Sequence, residues 1–343
     1  MRPRCGTMPE FVIDSVKAAK LQHASGLGVE QFLASLVKPT AALARPPISK
    51  FHVGAVGLGI SGRIFRGVNL EFPGLPLNCT VHAEQFLVAN ALQHGEKRIV
   101  FLAVSAAPCG HCRQFLQELR DAGNIRVLVT DGKDAQVRPL SYFLPHRFGP
   151  DDLLSKDFPL LLESRANGLV APGTPAISTG EEYSNLEVDL HPNLCEEDVA
   201  DKEGLTESTK SNLLKEPSLN SWLRNSKRSL LELKTAAFVA ANASYAPYSR
   251  CPSGVAIYTK KGEIYRGSYM ESAAYNPGLP ALQAAIVAFI CGGGSNYGEI
   301  EAAVLVETVD APVRHAATVR LALESLAPQA SFHFYEAHVQ RKQ

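Results

Sequence analysis

The chain repeats part of itself at a spacing of 200 residues, and this repeat constrains the fold more than any other feature. The stretch "RPPISKFHVGAVGLGISGRIFRGVNLE" (45–71) matches "YAPYSRCPSGVAIYTKKGEIYRGSYME" (245–271). The residues shared with their counterparts 200 positions later are Pro47, Ser49, Gly54, Gly62, Ile64, Arg66, Gly67, Glu71, Ala103 and Val104. So many matches in one register predict two copies of one folding unit. The tetrapeptide "PGLP" occurs at 73–76 and again at 277–280, a spacing of 204 residues. We therefore expect the register between the two copies to shift near the next helix.

Apolar patterning in the first copy alternates between strand-like and helix-like periods. It predicts strands at 51–59, 63–72, 98–105 and 125–130 and helices at 81–92 and 112–123, with further helix at 10–45 and 228–243. This order of elements indicates a layered α/β domain with a mixed sheet.

Residues 171–217 differ from the rest of the chain in composition. They hold eleven acidic and three basic side chains, a net charge of −8, among scattered Pro, Gly, Ser and Thr. We interpret them as an exposed, partly disordered linker or insertion. An acidic docking segment is the alternative.

Bulk properties exclude several classes of protein. The formal net charge is zero, which argues against a surface built to hold nucleic acid. No apolar run is long enough for a membrane span, so we expect no membrane partner. The start, "MRPRCGTMPEF", is too polar for a secretory signal, although a transit peptide is conceivable. We therefore expect a cytoplasmic protein with reduced thiols.

Two of the seven cysteines, Cys109 and Cys112, stand close together in "APCGHC". The odd cysteine count disfavours a disulfide framework, but a redox pair and a metal site both fit the spacing. A catalytic zinc site commonly has three protein ligands and a fourth, open position. His82, in "VHAEQ" at the predicted start of the preceding helix, is the best third ligand.

Glu84 follows His82 by two residues, so on a helix it does not share the direction of that ligand. A carboxylate beside the metal that does not bind it suits general acid–base catalysis. His-x-Glu, 23 intervening residues and Pro-Cys-x-x-Cys together form the signature of zinc deaminases. A structural zinc site or a redox pair is a weaker interpretation. We expect His111, between the two cysteines, to be an exposed loop residue.

Asn69 and Glu71, in "GVNLEF", would point to the same face of a strand. An amide beside a carboxylate suits the hydroxyls of a sugar. An exposed polar strand face is the alternative, which the neighbouring zinc signature makes weaker.

The chain resembles the cytidine deaminases of nucleoside salvage, in particular the longer homodimeric type whose catalytic domain is followed by a copy without zinc. The resemblance covers roughly residues 25–165 and 225–340. It rests on "FHVGAV", "GVNLEF", "VHAEQ", "APCGHC" and "YFLPHRFGPDDL". It implies a duplicated three-layer α/β/α fold. The expected divisions are a helical segment (1–48), a catalytic domain (49–168), the acidic linker (169–220) and a degenerate copy (221–343).

The resemblance also implies a role for each matching residue. His82, Cys109 and Cys112 would bind Zn²⁺, and Glu84 would shuttle the proton. Asn69 and Glu71 would hold the ribose hydroxyls, Phe51 would lie against the pyrimidine, and the backbone at Ala83 would read the base edge. Phe148, from the partner chain of a homodimer, would close the pocket. From the sequence alone, Phe51 and Phe148 would more commonly be buried core residues.

The second copy lacks these groups. Opposite His82 and Glu84 stand Leu282 and Ala284 in one register, or Ile286 and Ala288 in the other. Val309 and Pro312 stand opposite the two cysteines, and Tyr269 replaces Asn69, while Glu271 is retained.

The expected reaction is hydrolysis of cytidine and 2′-deoxycytidine to the uridines, with release of ammonia. A cytosine deaminase acting on single-stranded polynucleotides is one alternative, but it would need a basic, aromatic-lined groove. A noncatalytic zinc-binding scaffold is another, but it would have no use for Glu84.

Overall fold

The structure, a computed structural model, describes residues 10–131, 136–170 and 219–339. The acidic stretch 171–217 and the first nine residues lie outside the described residues, so their predicted character stays a prediction. Among the helices that are described, none is both long enough and apolar enough to cross a bilayer.

The first half forms a six-stranded mixed sheet. Its strands are β1 (Val12–Ile13), β2 (Gly54–Gly59), β3 (Ile64–Val68), β4 (Ile99–Val104), β5 (Arg126–Val129) and β6 (Arg138–Pro139), in the order β1-β3-β2-β4-β5-β6. Among the strands described for this sheet, only β4 and β5 pair in parallel. The helices are α1 (Ser15–Ser25), α2 (Val29–Ser35), α3 (Val37–Ala41), α4 (Ala83–Gln93), α5 (Gly110–Phe115), α6 (Leu140–Phe143) and α7 (Pro150–Leu153).

The second half repeats this plan in a five-stranded sheet. Its strands are β7 (Leu169–Val170), β8 (Ser253–Thr259), β9 (Ile264–Ser268), β10 (Ile300–Thr308) and β11 (Ser331–Val339), in the order β7-β11-β10-β8-β9. Strands β10 and β11 pair in parallel, as β4 and β5 do. The helices are α8 (Leu219–Asn242), α9 (Ala281–Cys291) and α10 (Ala316–Leu326).

Helices cover both faces of each sheet, because glycines let them approach closely. A Cβ atom on Gly54 would lie 2.5 Å from the backbone nitrogen of Ala41, at the end of α3. On the opposite face, a Cβ atom on Gly67 would lie 2.2 Å from the carbonyl oxygen of Ala83, in α4. Gly254 and Gly267 make the same close approaches to α8 and α9. The predicted duplicated three-layer arrangement with mixed sheets is confirmed.

The correspondence between the halves changes along the chain. Gly67 faces Ala83 and Gly267 faces Ala281, so α4 corresponds to α9 at a spacing of 198. Val56 pairs with Ala103, and Ala256 pairs with Val304, so β4 corresponds to β10 at 201. The predicted pairing of Ala103 and Val104 with Ala303 and Val304 is therefore wrong by one residue.

The slip has a visible cause in chain length. One residue separates Glu71 from Pro73 of the first "PGLP", whereas five separate Glu271 from Pro277 of the second. The tetrapeptide thus comes four residues later in the second half, yet α9 starts one residue after it and α4 starts seven after the first, so the connection to the helix is two residues shorter in the second half.

Three predicted elements differ from the observed ones. The helix predicted across 10–45 gives way to strand β1, and Gly26, at φ 67°, ends α1. The strand predicted at 63–72 stops at Val68. The helix predicted at 112–123 is α5 followed by two 3₁₀ turns, Leu116–Glu118 and Ala122–Asn124.

The two halves share one hydrophobic core. Phe86 and Leu87 of α4 and Phe289 of α9 belong to the same cluster of buried side chains. The Gln93 side chain, at the end of α4, also donates from Nε2 to the carbonyl of Ala284 in α9 (2.9 Å). The second half is therefore packed directly against α4, the helix capped by His82.

Candidate metal centre

Two helix starts bring His82, Cys109 and Cys112 together. His82 is the cap residue before α4, with extended backbone (φ −82°, ψ 155°). Cys109 is the cap residue before α5, and Cys112 lies in the first turn of that helix. The close approach of α4 to Gly67 positions the first of these starts, and the parallel pair β4–β5 lies on either side of α5 in sequence.

The three side chains have the geometry of a zinc site. One ligand atom from each lies within 4.8 Å of the others. The Nδ1 atom of His82 is 3.3 Å from the sulfur of Cys109 and 3.4 Å from that of Cys112. Tetrahedral Zn²⁺, with bonds of about 2.1 Å to nitrogen and 2.3 Å to sulfur, would separate such atoms by about 3.6 Å. The residues therefore fit this metal in both chemistry and spacing.

The thiols of Cys109 and Cys112 shift each other's pKa in opposite directions. The pKa of Cys109 is lowered to about 3 because its sulfur accepts a hydrogen bond from Cys112, with a further contribution from His82. The same contact, together with burial, raises the pKa of Cys112. The Cys109 contact also raises the pKa of His82. Cys112 must therefore lose its proton before both sulfurs can bind a metal.

Glu84 lies in the first turn of α4 and is only 4% exposed. Its carboxyl group is hydrogen-bonded to the thiol of Cys112. Burial raises the pKa of Glu84, although that hydrogen bond and His82 oppose the rise. A proton can therefore reside on this carboxyl group more readily than on one in water. The structure brings Glu84 beside the candidate ligands.

His111 does not behave as an exposed loop residue, so that expectation is wrong. It lies in α5, half-buried, with its ring stacked on the ring of His82 (centroids 5.1 Å apart, planes at 24°). Burial lowers its pKa. The helix begins at Gly110, earlier than predicted, so His111 is a helical residue.

Asn69 and Glu71 lie beyond the end of β3 and hold the segment before β2. The Asn69 amide donates to the carbonyl of Phe51 (2.9 Å) and accepts from the backbone N–H of Val53 (2.9 Å). Glu71 accepts from the backbone N–H groups of Ile48 and Ser49, both at 2.9 Å, and from the Ser49 hydroxyl.

These hydrogen bonds also shift the pKa of Glu71. Burial acts to raise its pKa, but the bonds from Ser49 and Ile48 outweigh that effect and lower it. The side chains of Asn69 and Glu71 therefore stabilise the backbone before β2, in addition to any contact with substrate.

The two predicted aromatic contacts are on the surface. Phe51 is 59% exposed and Phe148 is 46% exposed, so neither is a core residue. The carbonyl of Phe148 accepts from the side chain of Gln114, which ties its loop to α5 (2.7 Å). Ala83 is buried, and its backbone stands directly after His82.

In the second half the same place is filled by side chains that cannot bind metal. At the observed spacing of 198, Pro280 matches His82 and Leu282 matches Glu84, so both predicted registers are wrong. Tyr269 does stand opposite Asn69, since each donates its N–H to the same strand position, Ser253 or Val53. The Tyr269 ring packs edge-on against buried His315, with the centroids 4.4 Å apart.

The predicted counterparts of the cysteines also move. At the strand spacing of 201, Cys109 and Cys112 match Asp310 and Val313, in place of Val309 and Pro312. Beyond β10 the one-to-one match ends, because α10 begins only at Ala316.

Sequence reasoning missed two buried residues near this centre. Gln85, 1% exposed, accepts from the backbone N–H of His82 (3.2 Å) and donates to the carbonyl of Pro277 (3.1 Å). Its position three residues after a helix cap is a recognised capping pattern that could have identified it. Glu118, fully buried, accepts from two tyrosine hydroxyls of the second half. No local sequence signal marks it.

Comparison with known proteins agrees with this geometry. Residues 29–128 match a family model described as the cytidine and deoxycytidylate deaminase zinc-binding region, and residues 140–320 match a second model with the same description. Cytidine deaminase 1 of Arabidopsis thaliana is 47% identical over 344 residues, which cover 96% of this chain and 99% of that protein. Cytidine deaminase of Shewanella pealeana is 33% identical over 315 residues, which cover 92% and 86%.

Among solved structures, cytidine deaminase from Mycobacterium tuberculosis is 30% identical and covers 36% of this chain and 99% of its own, with a TM-score of 0.32. The full-length relatives and the matched zinc-binding regions confirm the predicted family and zinc as the cofactor. The chain belongs to the cytidine and deoxycytidylate deaminase family of zinc-dependent hydrolytic enzymes.

Proposed function

We propose that this enzyme hydrolyses cytidine and 2′-deoxycytidine to uridine and 2′-deoxyuridine, releasing ammonia, and that it serves pyrimidine salvage. The observation that carries the proposal is the placement of a buried carboxyl group, Glu84, in the first turn of the helix capped by His82, beside the His82–Cys109–Cys112 cluster. A purely structural zinc site has no need of a buried acid that costs free energy to desolvate.

His82, Cys109 and Cys112 would hold the metal through one imidazole nitrogen and two sulfurs. When bound, Zn²⁺ supplies a water activated for attack on C4 of the cytosine ring. Glu84 would take a proton as that water reacts, pass it to N3 of the base, and then help to protonate the leaving amino group. Its burial beside Cys112 suits this shuttle, because a raised pKa lets the same group both accept and return a proton near neutral pH.

Asn69 and Glu71 would bind the sugar hydroxyls. Each keeps hydrogen-bonding capacity beyond its contacts within the chain. An ionised carboxylate can accept about four hydrogen bonds, and Glu71 accepts three. The Asn69 amide retains one N–H and one lone pair after its bonds to Phe51 and Val53.

The hydrogen bond from the Asn69 amide to the carbonyl of Phe51 holds the backbone of Phe51, whose exposed ring would lie against the pyrimidine. The backbone beside Ala83, which continues directly from the ligand His82, would contact the edge of the base.

We further infer a homodimer, in which Phe148 of one subunit closes the pocket of the other. The 46% exposure of Phe148 leaves its ring available for such a contact. A cytoplasmic location suits the free thiols of Cys79, Cys251 and Cys291, because reducing compartments keep cysteines unpaired.

The test is a substrate panel followed by ultraviolet absorbance and ammonia release. Purified zinc-loaded enzyme is given cytidine, 2′-deoxycytidine, deoxycytidylate, free cytosine and a cytosine-containing single-stranded oligonucleotide, each with and without a zinc chelator. We expect conversion of the two nucleosides only, abolished by the chelator. Preferred conversion of deoxycytidylate or of the oligonucleotide would contradict the proposed substrate. Zinc binding without turnover of any substrate would favour the scaffold interpretation.

A further inference from the structure

A loop of the second half is attached to both helices that carry the candidate metal ligands. This loop, residues 272–277, lies between β9 and α9, in a connection that is two residues shorter than its counterpart in the first half. It is held at one end by Gln85, in α4, and at the other by Glu118, at the end of the turn that follows α5. We name it the bridging loop.

The first attachment reaches His82 through a single side chain. The Nε2 atom of Gln85 donates to the carbonyl of Pro277 in the bridging loop (3.1 Å), and its Oε1 atom accepts from the backbone N–H of His82 (3.2 Å). Gln85 is 1% exposed, so an unpaired amide there would cost the full desolvation of its polar atoms. The loop and the ligand therefore share one buried amide group.

The second attachment reaches the helix of Cys112. Glu118 ends the 3₁₀ turn Leu116–Glu118, which continues directly from α5. Its carboxylate accepts from the backbone N–H of Ala273 in the bridging loop (2.7 Å) and from the hydroxyls of Tyr245 (2.8 Å) and Tyr248 (2.6 Å). All of these donors belong to the second half.

The bridging loop is also ordered by its own bonds. The N–H of Tyr275 donates to the carbonyl of Ser272 (2.8 Å), and the N–H of Gly278 donates to that of Tyr275 (3.1 Å). Its two ends are thus held at a set separation, and α4 and the α5 turn are each attached to one end. Rigid outer contacts of this kind orient metal ligands and tune affinity.

We propose that the degenerate half sets the spacing of the metal ligands of the active half, with Gln85 and Glu118 as positioning residues. The inference rests on the proposed function, in that it takes His82 and Cys112 as ligands. It gives the second half a part in metal binding although it holds no ligand itself.

The test compares variants of the full-length chain by zinc affinity, measured in competition with a chromophoric chelator, and by the absorption spectrum of the cobalt-substituted protein. Gln85→Met removes the first attachment, and Tyr245→Phe with Tyr248→Phe removes hydroxyls of the second half alone. We expect each to weaken zinc binding about 10- to 100-fold, the range for outer-shell changes, and to shift the cobalt bands. Unchanged affinity and spectrum in both folded variants would overturn the proposal.

Gln93→Met is the matched control, because it removes the same kind of bond between the halves at the far end of α4. It should leave zinc affinity and the cobalt spectrum as in the parent, and an equal loss there would also overturn the proposal. If Gln85→Met fails to fold, the single Tyr→Phe variants decide the outcome. Cys112→Ser separates the two ideas: if it keeps zinc, the ligand assignment fails, whereas if it alone loses zinc, only the bridging-loop proposal fails.

Discussion

His82 and Pro280 occupy the same position, directly before α4 and α9, in the two halves of the molecule. The backbone is extended at both, with φ −82° and −61°. Proline is compatible with this dihedral range, so a potential ligand has been replaced by a residue that keeps the helix start. The chemistry can be absent from one half while its fold remains, and this asymmetry allows paired experiments within one chain.

The ligand assignment predicts that Cys112→Ser greatly weakens zinc binding. Losing a ligand should cost more than the 10- to 100-fold typical of outer-shell changes, so we expect a loss above about 100-fold. Zinc content after dialysis against a weak chelator measures it. Cys251→Ser, at a buried cysteine of the second half, is the control and should retain zinc. Full zinc content in Cys112→Ser would refute the assignment.

Glu84→Gln separates metal binding from proton transfer. The amide keeps the size of the side chain but cannot shuttle a proton, so turnover should fall by roughly 10²- to 10⁴-fold while one zinc is retained. Zinc content and kcat are measured on the same preparation. A zinc-loaded variant with more than a tenth of the parent turnover would contradict the role of Glu84.

Gly67→Ala and Gly267→Ala form a pair with similar steric cost. The new Cβ would lie 2.2 Å from the carbonyl oxygen of Ala83 in the first case and 2.1 Å from the nitrogen of Ala285 in the second. Forcing the helix from the sheet should destabilise each variant by about 1–3 kcal/mol, measured by urea unfolding.

Gly67→Ala should also reduce zinc affinity more than Gly267→Ala does, because Ala83 follows His82 directly, whereas α9 reaches the candidate ligands only through the bridging loop. Equal zinc affinity in the two variants would show that the close approach at Gly67 does not position the ligand.

The ion pair between Arg120 and Glu163 predicts a specific dependence of stability on pH. Arg120 lies 2.8 Å from the carboxylate and lowers its pKa below the ordinary value of 4.5, although burial opposes this. Because the folded state has the lower pKa, the pair stabilises the protein above pH 4.5 and this contribution is lost as the pH falls through the lowered value.

Urea unfolding at several pH values, with Glu163→Gln beside the parent, measures this contribution. The difference in free energy of unfolding should be largest at neutral pH and shrink below pH 4.5. Asp151→Asn, which breaks a more exposed pair with Arg147, should change stability little at any pH. A difference for Glu163→Gln that is constant with pH would count against the ion pair.

Much of the fold and of the candidate site could be predicted from local pattern. Strands β4 and β5 are short apolar runs, and α4 follows from helical spacing, so their predicted positions hold to within about two residues. The cluster of His82, Cys109 and Cys112 was predictable because its members lie at two helix starts, which capping and spacing mark in the sequence.

The remaining features depend on contacts that no local pattern records. The register of α9 depends on where a helix can pack against Gly267, and the sequence offsets of 200 and 204 residues both placed it wrongly. Glu118 is paired with donors more than 120 residues away, so nothing near it in sequence distinguishes it from a surface acid. His111 stacks on His82 within α5, a helix that begins two residues before its predicted start.

Glu71 and Glu271 make the same bonds in the two halves, each accepting from two backbone N–H groups and the serine hydroxyl of a preceding turn. This side chain is kept in the second half, whereas Pro280 and Leu282 stand where the first half has His82 and Glu84. The second half therefore offers a comparison within one chain, in which the fold is kept and the candidate site residues differ. The residues that both halves keep, such as Glu71 and Glu271, are those that the fold uses, so Glu71 serves the turn whether or not it also binds a sugar, whereas the second half folds without a counterpart of Glu84.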